Sequence, residues 1–95
     1  LNDDIDSLEL HDKLAVLGAD LLQIELMDYI RGNLTGLSQD EALVTYAKKI
    51  EKSESELNFE GSARSLHNKV RAFVWGPGTY TTFQGKRLKI HKTRI

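Results

Sequence analysis

The stretch "SARSLHNKVRAFVWGPGTYTTFQGKRLKI", residues 62–90, changes its hydrophobic period once and therefore predicts a helix followed by a β-hairpin. In its first half, apolar residues recur at steps of three and four, at Ala63, Leu66, Val70 and Phe73. Ser62 stands where an N-cap is needed, and the "GPG" of residues 76–78 ends the helix.

The second half of this stretch places β-branched and aromatic residues on both sides of Gln84-Gly85, which predicts a two-residue hairpin turn. Side chains alternate along a strand, so the second strand has one apolar and one basic face. The apolar face carries Leu88 and Ile90, and the basic face carries Arg87, Lys89 and His91. We expect Phe73 and Phe83 to belong to the core.

The N-terminal third of the chain predicts one long amphipathic helix over residues 7–31, with Asp6 or Ser7 as its cap and Gly32-Asn33 at its end. Its apolar stripe is formed by Leu10, Leu14, Leu17, Leu21 and Ile24. Residues 32–49 read as a linker that runs into a short strand or extended segment at Leu43–Ala47, and residues 49–59 as a loop or short helical turn. The fold class is α+β, and no apolar run is long enough to span a membrane.

Charge is divided unequally along the chain. All fourteen acids lie in residues 1–60 beside five bases, whereas residues 61–95 hold eight Lys and Arg and no acid. The net charge of −1 therefore conceals an acidic part and a basic part. A basic part of this kind favours a polyanionic partner.

Several classes of chemistry are excluded or disfavoured. The sequence contains no Cys, which excludes disulfides, thiolate metal sites and a Cys nucleophile and fits a cytoplasmic location. His11, His67 and His91 lack metal-ligand spacing, so no metal site is expected. Ser62 and Ser65 near His67 are better explained as capping residues than as nucleophiles.

Basic residues alternate with aromatic ones in the last third, a pattern that suits phosphate contact and stacking on bases. The aromatic residues concerned are Trp75, Tyr80 and Phe83. The alternative is a solvated, charged sheet face. The candidate nucleic-acid contacts are Lys48, Lys49, Lys52, Arg71, Lys86, Arg87, Lys89 and Lys92.

The order of three segments resembles the methionyl-tRNA formyltransferase family over nearly the whole chain. The segments are "LHDKLAVLGADLL" (10–22), "QDEALVTYAKKIEKSESELNFEGSARSLHNKVRAF" (39–73) and "GPGTYTTFQGKRLKI" (76–90). The resemblance implies that residues 1–35 hold the last helix of the catalytic domain, 36–50 the interdomain linker and 51–95 part of an OB-like C-terminal barrel. Strand edges of an incomplete barrel would invite self-association.

That family transfers a formyl group from 10-formyltetrahydrofolate to the methionyl amine of initiator tRNA. The resemblance implies that this chain contacts the tRNA, binds no cofactor itself and is inactive alone, because the family's catalytic Asn, His and Asp match no residue here. Two alternatives remain open: a sugar-nucleotide formyltransferase, and a stand-alone nucleic-acid-binding module. A sugar nucleotide needs no broad basic surface.

Overall fold

The computed structural model describes residues 2–95 and shows an α+β fold. Its elements in chain order are helix α1 (Ser7–Ile30), 3-10 turns at Glu41–Leu43 and Lys52–Ser55, helix α2 (Ala63–Ala72) and strands β1 (Thr79–Phe83) and β2 (Lys86–Ile90). The α+β class is confirmed.

Two compact units divide the chain. One combines the residues up to His11 with Lys49–Ile95, and the other comprises Asp12–Lys48. Helix α1 contributes its first turn to the first unit and the rest of its length to the second. The boundaries expected from the resemblance, at residues 35 and 50, stay predictions.

The first unit is built around a small apolar core. Ile5, Leu57, Val70 and Phe73 are its buried hydrophobic residues. Leu57 is anchored to β1 because its backbone N–H donates to the Tyr80 carbonyl at 2.8 Å. The core therefore joins four parts of the chain that are far apart in sequence: the N-terminal segment, the residues that follow the 3-10 turn Lys52–Ser55, α2 and β1.

Helix α2 begins where the sequence predicts but ends at Ala72, before the "GPG" of residues 76–78 that was predicted to end it. The Ser62 hydroxyl accepts from the Ser65 backbone N–H at 3.1 Å, so Ser62 is the N-cap. At the other end, Gly78 has a φ of +70° and its N–H donates to the Phe73 carbonyl at 3.1 Å. This left-handed glycine directs the chain from α2 into β1.

The predicted hairpin is confirmed, with antiparallel pairs from Thr79–Ile90 to Phe83–Lys86. Gln84 (φ +49°) and Gly85 (φ +73°) both have positive φ, which is the signature of a type I′ turn. Residues directly opposite each other share a face of the sheet. Arg87 and Lys89 therefore lie on one face with Thr82 and Tyr80.

The other face of the hairpin carries Leu88 and Ile90 opposite Thr81 and Thr79. Phe73 is buried as expected, but the expectation that Phe83 belongs to the core is wrong, since Phe83 is 63% exposed. It lies beside the turn, where no described element covers this face. The alternation of side chains along the strands shows which residues share a face. It does not show which part of that face other elements of the chain cover.

The predicted long helix is confirmed as α1. The Asp6 side chain accepts from the Glu9 N–H at 2.9 Å, and Gly32 takes a φ of +79° after the last turn. No residue of α1 is fully buried, so its apolar stripe is largely exposed. Within the described part of the chain no helix has the length and apolarity to cross a membrane.

The linker contains a 3-10 turn at Glu41–Leu43 that the Asp40 side chain caps. The strand offered as one possibility at Leu43–Ala47 does not form; Val44 has extended backbone but no strand partner among the described residues. The predicted short helical turn in residues 49–59 is confirmed at Lys52–Ser55.

Candidate nucleic-acid interface

Basic side chains from two separate segments meet in one open groove of about 600 Å³, which we call the basic groove. Lys52 comes from the 3-10 turn Lys52–Ser55. Arg87 and Lys89 come from β2, and His91 from the residues that follow β2. Of the described residues that line this groove, none is acidic. Its lining therefore carries positive charge without a carboxylate among the described lining residues.

The hairpin holds part of the basic groove in a fixed arrangement. The Arg87 guanidinium lies over the Tyr80 ring, 4.0 Å from the ring centroid. Such stacking orders the long arginine side chain and leaves its N–H donors at the ring's periphery. A planar guanidinium fixed in this way can donate two parallel hydrogen bonds to a phosphate.

Ser55 supplies a further polar group to the wall of the basic groove. The residue is only 3% exposed, and its hydroxyl has no hydrogen-bond partner among the described residues. A buried hydroxyl without a partner is uncommon, because it loses its hydration without compensation. Nothing in the sequence pattern indicated this residue.

The other predicted contacts lie elsewhere. Lys86 is opposite Phe83 and so belongs to the face that carries Leu88, not to the face of Arg87. Lys48 and Lys49 are exposed and lie in a segment without regular secondary structure. Thus the structure brings together Lys52, Arg87 and Lys89 of the predicted set, and the roles of all eight residues stay predictions.

Arg71, another predicted contact, is already engaged within the chain. It is half-buried, and its Nη1 donates to the Ile5 carbonyl at 3.1 Å while its Nε donates to Asn68 Oδ1 at 3.1 Å. A phosphate would have to compete with these bonds. Lys92 lines a second groove, described next.

The second groove, of about 590 Å³, carries charges of both signs, and we call it the mixed groove. Its basic residues are Arg71, Lys92 and Arg94, and its acidic residues are Asp4, Asp6 and Glu9. The two sets are equal in number. His91 and Val74 line both grooves, so the two share a border.

His67 forms the floor of the mixed groove and is 4% exposed. Its Nε2 lies 3.3 Å from the Asp3 carbonyl oxygen and 3.4 Å from Asp4 Oδ1, and its Nδ1 lies 3.0 Å from Thr93 Oγ1. This histidine therefore links the N-terminal segment, α2 and the residues after β2. Both ring nitrogens are occupied, which leaves none for a metal.

One face of α2 binds the acidic segment, by which we mean residues 2–6. Arg64, His67 and Arg71 follow at steps of three and four and so lie on the same side of the helix. Arg64 Nη1 lies 3.3 Å from Asp3 Oδ2. This role was not predicted from the sequence, although a basic stripe on one helix face and an acidic N-terminus are complementary signals.

The hydroxyls near His67 are used for capping, as expected. The Ser65 hydroxyl donates to the Ser62 carbonyl at 2.8 Å, in addition to the cap bond of Ser62. Among residues 2–95, no group of three or more His, Asp or Glu is arranged to hold a metal ion. The concentrated positive charge of the basic groove accordingly favours anion binding.

Comparison with known proteins gives a consistent match. Residues 49–95 match the C-terminal domain of formyl transferases. A methionyl-tRNA formyltransferase of Bdellovibrio bacteriovorus is 58% identical over 92 residues, covering 97% of this chain and 29% of the relative. One from Methylococcus capsulatus is 46% identical over 96 residues, covering 100% of this chain and 31% of the relative. The chain thus spans less than a third of the length of these curated relatives.

Proposed function

Because this chain belongs to the formyl transferase family, with residues 49–95 matching its C-terminal domain, we propose that it is the tRNA-facing part of a methionyl-tRNA formyltransferase. Such an enzyme transfers a formyl group from 10-formyltetrahydrofolate to the methionyl amine of initiator tRNA. The observation that supports this role for the chain is the basic groove, which Lys52, Arg87 and Lys89 line together and in which none of the described lining residues is acidic.

The proposed contribution of these residues is to position the RNA. Lys52 and Lys89 provide point charges for phosphate oxygens, and Arg87, held over Tyr80, provides a directed fork of donors. Contacts to the RNA backbone fix its register and orientation without reading sequence. Holding the acceptor in this way favours a reactive geometry at a catalytic centre formed by other residues of the enzyme.

Several expectations from the resemblance enter this proposal unchanged. The chain supplies no catalytic residue and does not bind the folate, and the two described strands form part of an OB-like barrel. Lys48, Lys49 and Lys86 are exposed, are not among the residues that line the basic groove, and stay candidate tRNA contacts. The enzyme acts in the cytoplasm, where initiator tRNA is found.

The size of the contact can be expressed as a salt dependence. Each phosphate neutralised on RNA changes the slope of log K against log salt by about 0.7 to 0.9. Three contacts in the basic groove therefore predict a slope of about −2 to −3, with weak binding at physiological salt. Affinity should change little with RNA sequence, because phosphates carry no base information.

The test is a salt titration of this chain with initiator tRNA, using fluorescence anisotropy. The double variant Arg87→Gln/Lys89→Gln should weaken binding and flatten the slope by about 1.5. The control Arg31→Gln/Arg94→Gln removes the same charge from positions outside the basic groove and should flatten it by less than about 0.5. Equal effects of the two pairs, or no binding by the unmodified chain at low salt, would overturn the proposal.

A further inference from the structure

The acidic segment (residues 2–6) follows a fixed path across α2. Ile5 is 5% exposed and inserts into the core, while its carbonyl accepts from Arg71. Asp3 pairs with Arg64, and the Asp3 carbonyl and Asp4 carboxylate both lie next to His67. These contacts on both sides of Ile5 hold the backbone of the acidic segment against α2 and place Asp3 beside Arg64 and Asp4 beside His67.

The end of the acidic segment is fixed as well. The Ser7 hydroxyl accepts from the Trp75 backbone N–H at 3.0 Å. The His11 ring meets the Trp75 ring edge-on, with centroids 3.7 Å apart and an interplanar angle of 87°. The first turn of α1 therefore cannot swing away from α2 without breaking these contacts, and Asp6 and Glu9 remain at the border of the mixed groove.

The two neighbouring grooves consequently differ in how strongly they attract an anion, because acidic residues line one of them and not the other. Three acids balance three bases in the mixed groove, whereas three bases in the basic groove have no acid among the described lining residues. Electrostatic potentials of exposed charges decay over about 8–10 Å at physiological salt, so each carboxylate acts most strongly on its near neighbours. The basic residues of the mixed groove are thus neutralised locally.

We propose that the acidic segment is an electrostatic screen that keeps RNA phosphates out of the mixed groove and confines them to the basic groove. This inference rests on the proposed function and adds a specificity device to it. Lys92 and Arg94 line the same groove as Asp4, Asp6 and Glu9 and contribute little to RNA binding, whereas Arg87 and Lys89 carry it. Like charge set against a misplaced partner is an established way to reject a wrong orientation.

The screen orients the RNA because the two grooves share the border formed by Val74 and His91. A backbone lying in the basic groove could continue across this border if both grooves were positive. The carboxylates of Asp4 and Asp6 make that continuation unfavourable. The phosphate path must therefore leave the basic groove on another side.

The first experiment neutralises the screen without changing its shape. In Asp4→Asn/Asp6→Asn, the amide oxygens can still accept from His67 and cap α1, since Asn is as good an N-cap as Asp. We expect the slope of log K against log salt for tRNA binding to become steeper by about 1.5, which corresponds to two new phosphate contacts. The control Asp20→Asn/Glu41→Gln makes the same change in net charge on exposed positions outside both grooves and should leave the slope unchanged.

A second pair of variants tests the screen with the acidic segment intact. Lys92→Gln/Arg94→Gln should leave the slope within about 0.3 of the unmodified chain. The same pair added to Asp4→Asn/Asp6→Asn should abolish the gained contacts. Lysine acetylation provides a direct readout: tRNA should protect Lys89 in every chain that retains it, and Lys92 only where the acids have been neutralised.

The outcomes separate the two proposals. If Asp4→Asn/Asp6→Asn and its control behave alike, or if tRNA protects Lys92 in the unmodified chain, the screen is overturned while binding in the basic groove stands. If Arg87→Gln/Lys89→Gln binds as the unmodified chain does, the proposed function fails. If no variant binds tRNA, both are overturned.

Discussion

Replacement of His67 by Ala tests whether the buried histidine joins the acidic segment to α2. The imidazole has three polar neighbours, namely Asp3, Asp4 and Thr93, at 3.0 to 3.4 Å. An intramolecular hydrogen bond contributes about 1 kcal/mol net, and a cavity in place of the ring adds about 1–2 kcal/mol. The free energy of unfolding should therefore fall by about 2–4 kcal/mol.

Urea unfolding followed by the fluorescence of Trp75 is the appropriate assay, since Trp75 is the one tryptophan of the sequence and its backbone N–H contacts Ser7. The emission should thus report the release of the acidic segment as well as global unfolding. For a domain stabilised by about 5 kcal/mol, a loss of this size is a large part of the total. The midpoint should fall while the dependence on urea concentration changes little.

His91→Ala is the matched control, because His91 is exposed. An exposed substitution of this kind should change the free energy of unfolding by no more than about 0.5 kcal/mol. His67→Gln, which retains one donor and one acceptor, should recover part of the loss. A cost below about 1 kcal/mol for His67→Ala, or one equal to that of His91→Ala, would refute the linking role.

Two further predictions concern single residues of the same unit. Ser55→Ala removes the unpaired hydroxyl. In urea unfolding, the free energy of unfolding should stay unchanged or rise by up to about 1 kcal/mol. A drop of more than about 1 kcal/mol would mean that the hydroxyl has a partner. Gln84→Asn should stabilise the type I′ turn by about 0.5 kcal/mol, and Gly85→Ala should destabilise it by about 1 kcal/mol, both in thermal melts; no difference between the two would contradict the positive φ values.

Elements whose signals are local could be predicted from the sequence. Ser62, Gln84 and Gly85 each determine the conformation of the chain within a few residues, and the structure confirms the cap and the turn that they predict. Helix α1 likewise ends one residue from its predicted end. Capping and turn chemistry act over short distances, so a pattern in the sequence is sufficient to identify them.

Contacts between distant residues could not be predicted in this way. The bonds from Arg71 to Ile5 and from Trp75 to Ser7 join residues more than sixty positions apart. Phe83 illustrates the same limit for burial: its strand was identified correctly, but the covering of each face depends on elements elsewhere in the chain. The part of the basic groove that Ser55 lines depends on such packing as well.

The charge of the C-terminal part shows why these distant contacts matter for function. Residues 61–95 hold eight bases, and eight phosphate contacts would give a slope of about −6 to −7. Three of these bases have contacts within the chain. Lys69 bonds to the Glu56 carbonyl, Arg71 to the Ile5 carbonyl, and Arg64 pairs with Asp3. Two more, Lys92 and Arg94, line the mixed groove together with acidic residues.

Only Lys86, Arg87 and Lys89 remain of the eight, and Lys52 joins two of them from outside the basic part. If the fold decides which charges act, the measured slope will lie near −2 to −4, as three contacts in the basic groove, or four with Lys86, require. If sequence charge alone decides, it will approach about −6. The salt dependence of tRNA binding therefore distinguishes a groove assembled by the fold from a surface that is merely basic.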